Sequence, residues 1–78
     1  MGKDAAFRAI KQAILNPPDG KVAELHLQVL KYAEDLRDVS GKDFCASLEI
    51  EESYATEYAK MKKISARLRA AGLDPDRI

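Results

Sequence analysis

Apolar residues recur every three or four positions along most of the chain, which is the spacing of one face of an α-helix. The first such stripe predicts a helix that begins at Asp4, acting as its N-cap, and runs to about Leu15. The segment NPPDG then ends it, because two prolines cannot continue a helix and Asp19-Gly20 is typical of a turn. The stripe consists of Ala6, Phe7, Ile10, Ala13 and Ile14.

A second stripe predicts a helix from about Lys21 to Arg37 with an unusually wide apolar face. So wide a face is typical of a central helix that has neighbours on two sides. Leu27 falls on the opposite face among charged residues, so we expect it to be exposed. The wide face comprises Val22, Leu25, His26, Val29, Leu30, Tyr32, Ala33 and Leu36.

The segment SGKD at positions 40–43 predicts the start of a short third helix. Ser40 and Asp43 have the Ser-x-x-acid spacing of a capping box, in which each side chain accepts a hydrogen bond from the other residue's backbone N–H. The apolar pattern of this helix ends at Leu48.

A fourth helix is predicted to begin near Glu51 or Glu52 and to run to about Ala71. Gly72 ends it, because glycine readily takes the left-handed conformation that follows many helices. Pro75 then prevents the helix from resuming.

The pattern contains no strand, so the predicted fold class is all-α. We expect a compact four-helix domain in which the third and fourth helices form a helix-turn-helix-like unit. Residues 1–78 are predicted to form a single domain, with its core at 4–72 and a short C-terminal tail at 73–78. The residues predicted to be buried are Phe7, Ile10, Leu25, Val29, Leu36, Phe44, Leu48, Ile50, Tyr58 and Leu68.

The helix-turn-helix prediction depends on the spacing around residue 49. The motif needs a small residue where its two helices pack closely, and Cys45 stands there. Glu49 occupies the tight turn four residues later, where many such motifs use glycine because it tolerates a positive φ. Apolar positions follow at Ile50, Ala55 and Tyr58, as the motif requires.

Two segments make the chain resemble a known family: ELHLQVLKYAEDL in the second predicted helix and IEESYATEYAK around the turn. The family consists of small helix-turn-helix-like domains, mostly in uncharacterised bacterial and phage-related proteins. The resemblance spans Lys21 to Leu68 and implies the fold rather than an activity. Members tend to carry a glycine and more basic residues shortly after the SYATE segment, where this chain has Met61 and Ala59.

Charge is distributed unevenly, although the formal net charge is zero. Residues 40–58 hold one base and five acids, whereas residues 59–78 hold six bases and two acids. Zero net charge removes the simplest argument for nucleic-acid binding. The uneven distribution leaves two interpretations open: acids and bases matched to helix dipoles, or a charged surface that binds a ligand.

The candidate DNA-contacting surface is the exposed side of the fourth helix. Its first turn is rich in glutamate, which weakens binding near phosphates, although glutamate can accept a hydrogen bond from a cytosine amino group. Further along, a basic stripe suits phosphate contact, and the alternative interpretation is an ordinary solvated helix face. The candidate DNA-binding residues are Ser53, Thr56, Lys60, Lys63 and Arg67.

The remaining chemistry favours core packing over catalysis. We expect His26 to be a core histidine bonded to backbone or water and Cys45 to be a small apolar core residue, rather than a thiolate–imidazole pair. Tyr54 and Tyr58 fall on the apolar face, so packing is favoured over base stacking. We therefore predict no enzyme activity, no catalytic residues, no metal site and no cofactor.

Cellular placement is an expectation from what the sequence lacks. A single cysteine cannot form an internal disulfide, and neither a signal peptide nor a membrane-spanning run is visible. These features are typical of a cytoplasmic protein that does not bind a membrane.

Two functions compete on these observations. The leading hypothesis is a small nucleic-acid-binding, transcription-regulatory domain that contacts double-stranded DNA. The alternative is a protein-interaction or accessory module that keeps the fold without binding DNA, which zero net charge and the glutamates favour. A homodimer is a further hypothesis, because Leu27 is predicted to be exposed and many DNA-reading helix-turn-helix proteins are two-fold symmetric.

Overall fold

Four α-helices make up most of the computed structural model, which describes residues 2–78. They are α1 (Lys3–Ala13), α2 (Lys21–Tyr32), α3 (Gly41–Leu48) and α4 (Tyr54–Ala70), followed by a short 3₁₀ helix at Pro75–Arg77. None of the described residues forms a strand. The prediction of an all-α, four-helix fold is therefore confirmed.

The second helix has the central position that its wide apolar face predicts. It contacts α1, α4 and the 3₁₀ helix, whereas α3 contacts α1 and α4. Lys31 on α2 donates to the backbone carbonyl of Ile78 at 3.0 Å, so the tail lies against this helix. The buried hydrophobic core consists of Ala6, Ile10, Leu25, Val29, Leu36, Val39, Phe44, Cys45, Leu48 and Tyr58.

Seven of the ten predicted core residues are buried, and the exceptions are Phe7, Ile50 and Leu68. Phe7 and Ile50 are only partly buried and pack against the core. The prediction for Leu68 is wrong, because its side chain is 36% exposed. Around α4, Leu68 lies about 80° from Tyr58, whereas Ser65 lies about 20° from it and is the buried residue.

The predicted helix boundaries need three corrections. Gly2, not Asp4, is the N-cap of α1, and Asp4 instead places its negative charge in the first turn, where the helix dipole favours it. The second helix ends at Tyr32, five residues earlier than predicted, and turns continue through residue 38. The fourth helix begins at Tyr54, because residues 51–53 form a turn.

The predicted Ser40 N-cap of α3 and the end of α4 at Gly72 are confirmed, whereas of the two capping-box hydrogen bonds the structure shows the one that Ser40 accepts. Ser40 Oγ accepts a hydrogen bond from the Asp43 backbone N–H at 3.1 Å. Gly72 has a φ of 111°, in the region that favours glycine. The N–H groups of Leu73 and Gly72 donate to the carbonyls of Leu68 and Arg69, which closes the end of α4.

The backbones of α3 and α4 approach each other closely at Gly41, in the first turn of α3. A Cβ atom added to Gly41 would lie 2.8 Å from Ala55 Cβ and 3.2 Å from Ala55 Cα. Backbone atoms in a packed helix pair cannot easily move away from such a contact. The absence of a side chain at Gly41 therefore sets how closely the two helices of the turn unit pack.

We expect Gly41→Ala to destabilise the fold by about 1–3 kcal/mol, because the added methyl group forces α3 and α4 apart. Urea unfolding followed by circular dichroism measures the loss. If Gly41 did not approach Ala55, glycine to alanine in a helix would stabilise the protein by up to about 1 kcal/mol. The sign of the change in unfolding free energy therefore distinguishes the two cases.

The matched background for this test is Ala55→Gly, which removes the Cβ atom facing Gly41. In that background Gly41→Ala should cost less, giving a coupling free energy of about 1 kcal/mol between the two positions. Equal costs in both backgrounds would mean that the Gly41–Ala55 contact does not control the helix spacing.

Candidate nucleic-acid interface

The turn between α3 and α4 has the geometry of a helix-turn-helix, with a glutamate at its tightest point. Glu49 has a φ of 58°, in the left-handed region, as the motif requires of the turn residue. The Ile50 N–H donates to the Cys45 carbonyl at 3.0 Å and the Glu49 N–H to the Ala46 carbonyl at 3.2 Å. These bonds satisfy the last carbonyls of α3 and offset the roughly 1 kcal/mol cost of a left-handed residue other than glycine.

Tyr58 connects α4 to α3 and to the segment that joins α2 to α3. Its ring stacks on Phe44 of α3, with centroids 4.1 Å apart and planes inclined by 18°. Its hydroxyl oxygen lies 2.6 Å from the Val39 carbonyl and 3.0 Å from the Leu36 carbonyl, and its one hydrogen is shared between them. Desolvation by burial raises the pKa of Tyr58 to about 12.

Lys62 donates to the same group of carbonyls, one turn further along α4. Its Nζ lies 3.0 Å from the Leu36 carbonyl, 3.1 Å from that of Arg37 and 3.2 Å from that of Val39. Its ammonium group also lies 4.9 Å from the centre of the Tyr58 ring. A lysine ammonium group has three N–H donors, so these three carbonyls can accept all of them.

Arg69 also bonds to other residues of the fold instead of extending from the exposed surface. Its Nε donates to the buried Ser65 hydroxyl at 3.3 Å, and its guanidinium lies 3.6 Å from a carboxylate oxygen of Glu34 on the turn after α2. Among the bases of α4, this leaves Lys60, Lys63 and Arg67. None of these three makes an ion pair with another residue in the range 2–78.

All five candidate DNA-binding residues are exposed, but they do not form one cluster. Thr56, Lys60 and Lys63 line a groove of about 550 Å³ between the start of α3 and the side of α4. Arg67 lies one turn beyond Lys63 on α4 and does not line this groove, and Ser53 precedes the helix. The Ser53 hydroxyl donates to the Glu51 carboxylate at 3.5 Å, which is a long hydrogen bond.

The structure adds Lys42 to this basic surface. Lys42 is exposed in the first turn of α3 and lines the same groove as Lys60 and Lys63. Three lysines therefore converge on one groove from two helices. Sequence reasoning missed Lys42 because its neighbourhood is acidic, and only the Gly41–Ala55 contact brings it beside α4.

The glutamates near the turn differ in their surroundings. Glu57 Oε2 lies 3.1 Å from His26 Nε2 on α2. Glu49 Oε1 accepts from Lys11 of α1 at 3.2 Å, in an exposed pair that stabilises the fold little. Glu51 and Glu52 are exposed, and Glu52 lines the basic groove. Among these acids, Glu52 is therefore the one that would repel phosphates in the basic groove.

The prediction for His26 is wrong in its details. Its side chain is 28% exposed and contacts the Glu57 carboxylate, rather than being a core histidine bonded to backbone or water. The predicted environment of Cys45 is confirmed, since it is buried in the core and free. Burial, followed by the charge of Glu52, raises the pKa of the Cys45 thiol, which favours its neutral form.

The two tyrosines of α4 lie where the apolar pattern predicts. Tyr58 is fully within the core, and Tyr54 is partly buried with the Lys21 ammonium 5.6 Å from its ring centre.

Over residues 2–78, no three His, Cys, Asp or Glu side chains are grouped so that they could hold a metal ion. In the same range, no helix combines the length and apolar character needed to cross a membrane.

Comparison with known proteins supports this geometry. A family model described as an HTH-like domain matches residues 2–71. Neither a curated protein nor a solved structure matches the chain. The match includes all four helices and the turn at Glu49, so it extends beyond the two segments that carry the resemblance in the sequence.

We expect the stability of the protein to fall as the pH rises from about 10 to about 12. The folded-state pKa of Tyr58 is about 12, above the unfolded value near 10, so its contribution is present below pH 10 and lost through this window. The loss should be about 2–3 kcal/mol. Urea unfolding at a series of pH values measures it.

Tyr58→Phe should remove this part of the alkaline loss and cost about 1–3 kcal/mol at neutral pH, because the Leu36 and Val39 carbonyls lose a donor. Tyr54→Phe, one turn earlier on the same helix, is the matched control and should keep the alkaline loss. If Tyr58→Phe and the wild-type protein lose stability equally above pH 10, the assignment to Tyr58 is wrong.

Proposed function

The chain belongs to the HTH-like domain family, and from that premise we propose that it is a small nucleic-acid-binding, transcription-regulatory domain. In this proposal the exposed side of α4 contacts the phosphates of double-stranded DNA. The observation that carries the proposal is the groove between the start of α3 and the side of α4, where three lysines of the helix-turn-helix unit converge.

The charges of α4 support this proposal because they are divided between two sides of the helix. Lys62 and Arg69 bond to groups inside the fold, whereas Lys60, Lys63 and Arg67 extend from the exposed side. Long basic side chains without an intramolecular partner are available to displace the counterions of DNA. The zero net charge of the whole chain therefore understates how basic this face is.

Each candidate residue has a distinct role in the proposal. Lys60, Lys63 and Arg67 contact phosphates, and Lys42 contacts the backbone from the other wall of the groove. The hydroxyl groups of Ser53 and Thr56 donate to phosphate oxygens or base edges. Glu51 and Glu52 repel phosphates, so they disfavour any docking position that places the DNA backbone over the turn that precedes α4.

The alternative, a protein-interaction module that does not bind DNA, draws support from these same two glutamates. Both are exposed at positions where a DNA-reading helix usually meets base edges. The two functions differ in one measurable respect, since only the first predicts that affinity for a duplex depends on salt and on the lysines of the groove.

We expect wild-type protein to bind a fluorescent mixed-sequence duplex at about 50 mM salt, with a log–log salt slope near −0.9 for each phosphate contacted. Lys60→Ala, Lys63→Ala and Arg67→Ala should each reduce the steepness of that slope by about one unit, because each removes one contact. Glu52→Gln should strengthen binding, because it removes a negative charge from the groove. Fluorescence anisotropy measures all four changes.

Lys3→Ala is the matched control, since Lys3 is an exposed lysine on α1 outside the groove and its replacement should leave the slope unchanged. A flat titration up to about 100 µM wild-type protein would end the DNA proposal, because ordinary non-specific dissociation constants lie at or below that level. Indifference to all four changes would favour the protein-interaction module.

We also expect the protein to form a homodimer at tens of micromolar. Leu27 is 42% exposed on α2, as predicted, and two-fold symmetry is common among DNA-reading helix-turn-helix proteins. Sedimentation velocity should show the dimer, and Leu27→Ser should shift the population towards monomer. A clean monomer for wild-type protein contradicts this prediction.

A further inference from the structure

The C-terminal half of α4 exposes a strip of apolar side chains next to the basic groove. Ile64 is 44% exposed, Leu68 is 36% exposed, and Ala71 is also exposed. Their spacing of i, i+4 and i+7 places them on one side of the helix. Together with Lys63 and Arg67 they line a shallow depression of about 390 Å³. Single exposed apolar residues are ordinary, but neighbours that line one depression form a surface that another helix can cover.

Positive charge borders this apolar strip. Residues 58–73 hold five bases and no acid. At 100° per residue, Arg67 and Lys63 lie about 60° and 100° from Ile64, both on the same side of the strip. Neither base makes an ion pair with the rest of the described chain. The surface therefore combines apolar contact area with cations along one edge.

A second copy of the chain is a poor match for this surface. If two copies packed α4 against α4 about a two-fold axis, the same side chains would meet across the interface. Lys63 and Arg67 of both copies would then be brought together, and like charges repel strongly when partly shielded from water. Phosphates match the two bases, but they leave Ile64 and Leu68 uncovered.

We propose that Ile64, Leu68 and Ala71, with Lys63 and Arg67, form a docking surface for an acidic amphipathic helix of a partner protein. The apolar side of that helix covers Ile64 and Leu68, and its carboxylates accept hydrogen bonds from Lys63 and Arg67. A guanidinium group can hold a carboxylate through two parallel hydrogen bonds, which fixes the direction of the docked helix. The inference goes beyond the proposed DNA binding and does not depend on it.

The experiment uses a fluorescent synthetic helix of about 15 residues with leucine at i, i+4 and i+7 and glutamate beside them. We expect saturable binding to the full chain by anisotropy at about 50 mM salt, weakening as salt is added. Leu68→Ser and Ile64→Ser should each weaken binding about tenfold, because each removes buried apolar area. Arg67→Gln should weaken it to a similar degree.

Val22→Ser is the matched control, because Val22 is similarly exposed but lies on α2, outside the depression. It should bind the peptide like wild-type protein, and a peptide with lysine in place of glutamate should not bind. Circular dichroism establishes that each variant is folded. Lys60→Ala should change the salt slope for DNA but leave peptide affinity within about twofold, which separates this inference from the proposed function.

Three results would each overturn the proposal. The first is no saturable binding of the acidic peptide up to about 1 mM, the weak end of measurable affinity. The second is equal binding of the acidic and basic peptides, or of the wild-type protein and Leu68→Ser. The third is a dimer in sedimentation that Leu68→Ser abolishes and Leu27→Ser does not, because the strip would then bind a second copy.

Discussion

The backbone carbonyl groups of Leu36, Arg37 and Val39 are the constraint on which the rest of the fold depends. They lie where the chain leaves α2 and turns towards α3, and buried carbonyls need donors. The Val39 N–H donates to the Leu36 carbonyl, and the other donors come from α4, since the Tyr58 hydroxyl and the Lys62 ammonium reach the carbonyls of Leu36 and Val39 together. Because Tyr58 also stacks on Phe44, the same residue fixes α4 against α3. The geometry of the helix-turn-helix is thus set partly from outside its turn.

This constraint divides the bases of α4 between two tasks. Lys62 and Arg69 face the turn that follows α2 and pair with polar groups there, so their charges contribute little to the exposed surface. Lys60, Lys63 and Arg67 lie on the other side of the helix, and α3 brings Lys42 beside two of them. Counting charges along the chain cannot make this distinction. It follows from the rotation of α4 about its axis, which the Tyr58 hydroxyl determines.

The parts of the structure that depend on residues close together in the sequence could be predicted from it. The Ser40 cap, the turn at Glu49 and the end of α4 at Gly72 follow from local backbone chemistry, and the helices follow from their periodicity. The contacts of His26 with Glu57 and of Lys62 with the carbonyls could not be predicted, because they join residues far apart in the chain. The predicted burial of Leu68 was wrong for the same reason. Periodicity locates the buried face of a helix only to within a few tens of degrees, so the burial of a residue at the border of that face depends on which elements pack against it.

Lys63 and Arg67 belong to both proposed surfaces of α4, so the two ligands cannot bind independently. A partner helix seated on Ile64 and Leu68 would cover these two bases and leave DNA with Lys42 and Lys60. Each lost phosphate contact lowers the salt-dependent part of the DNA affinity, so the partner would act as a competitor. Linkage makes the effect reciprocal, and bound DNA would weaken the partner by the same factor. A domain of this size can therefore couple two ligands through shared side chains, without any change of conformation.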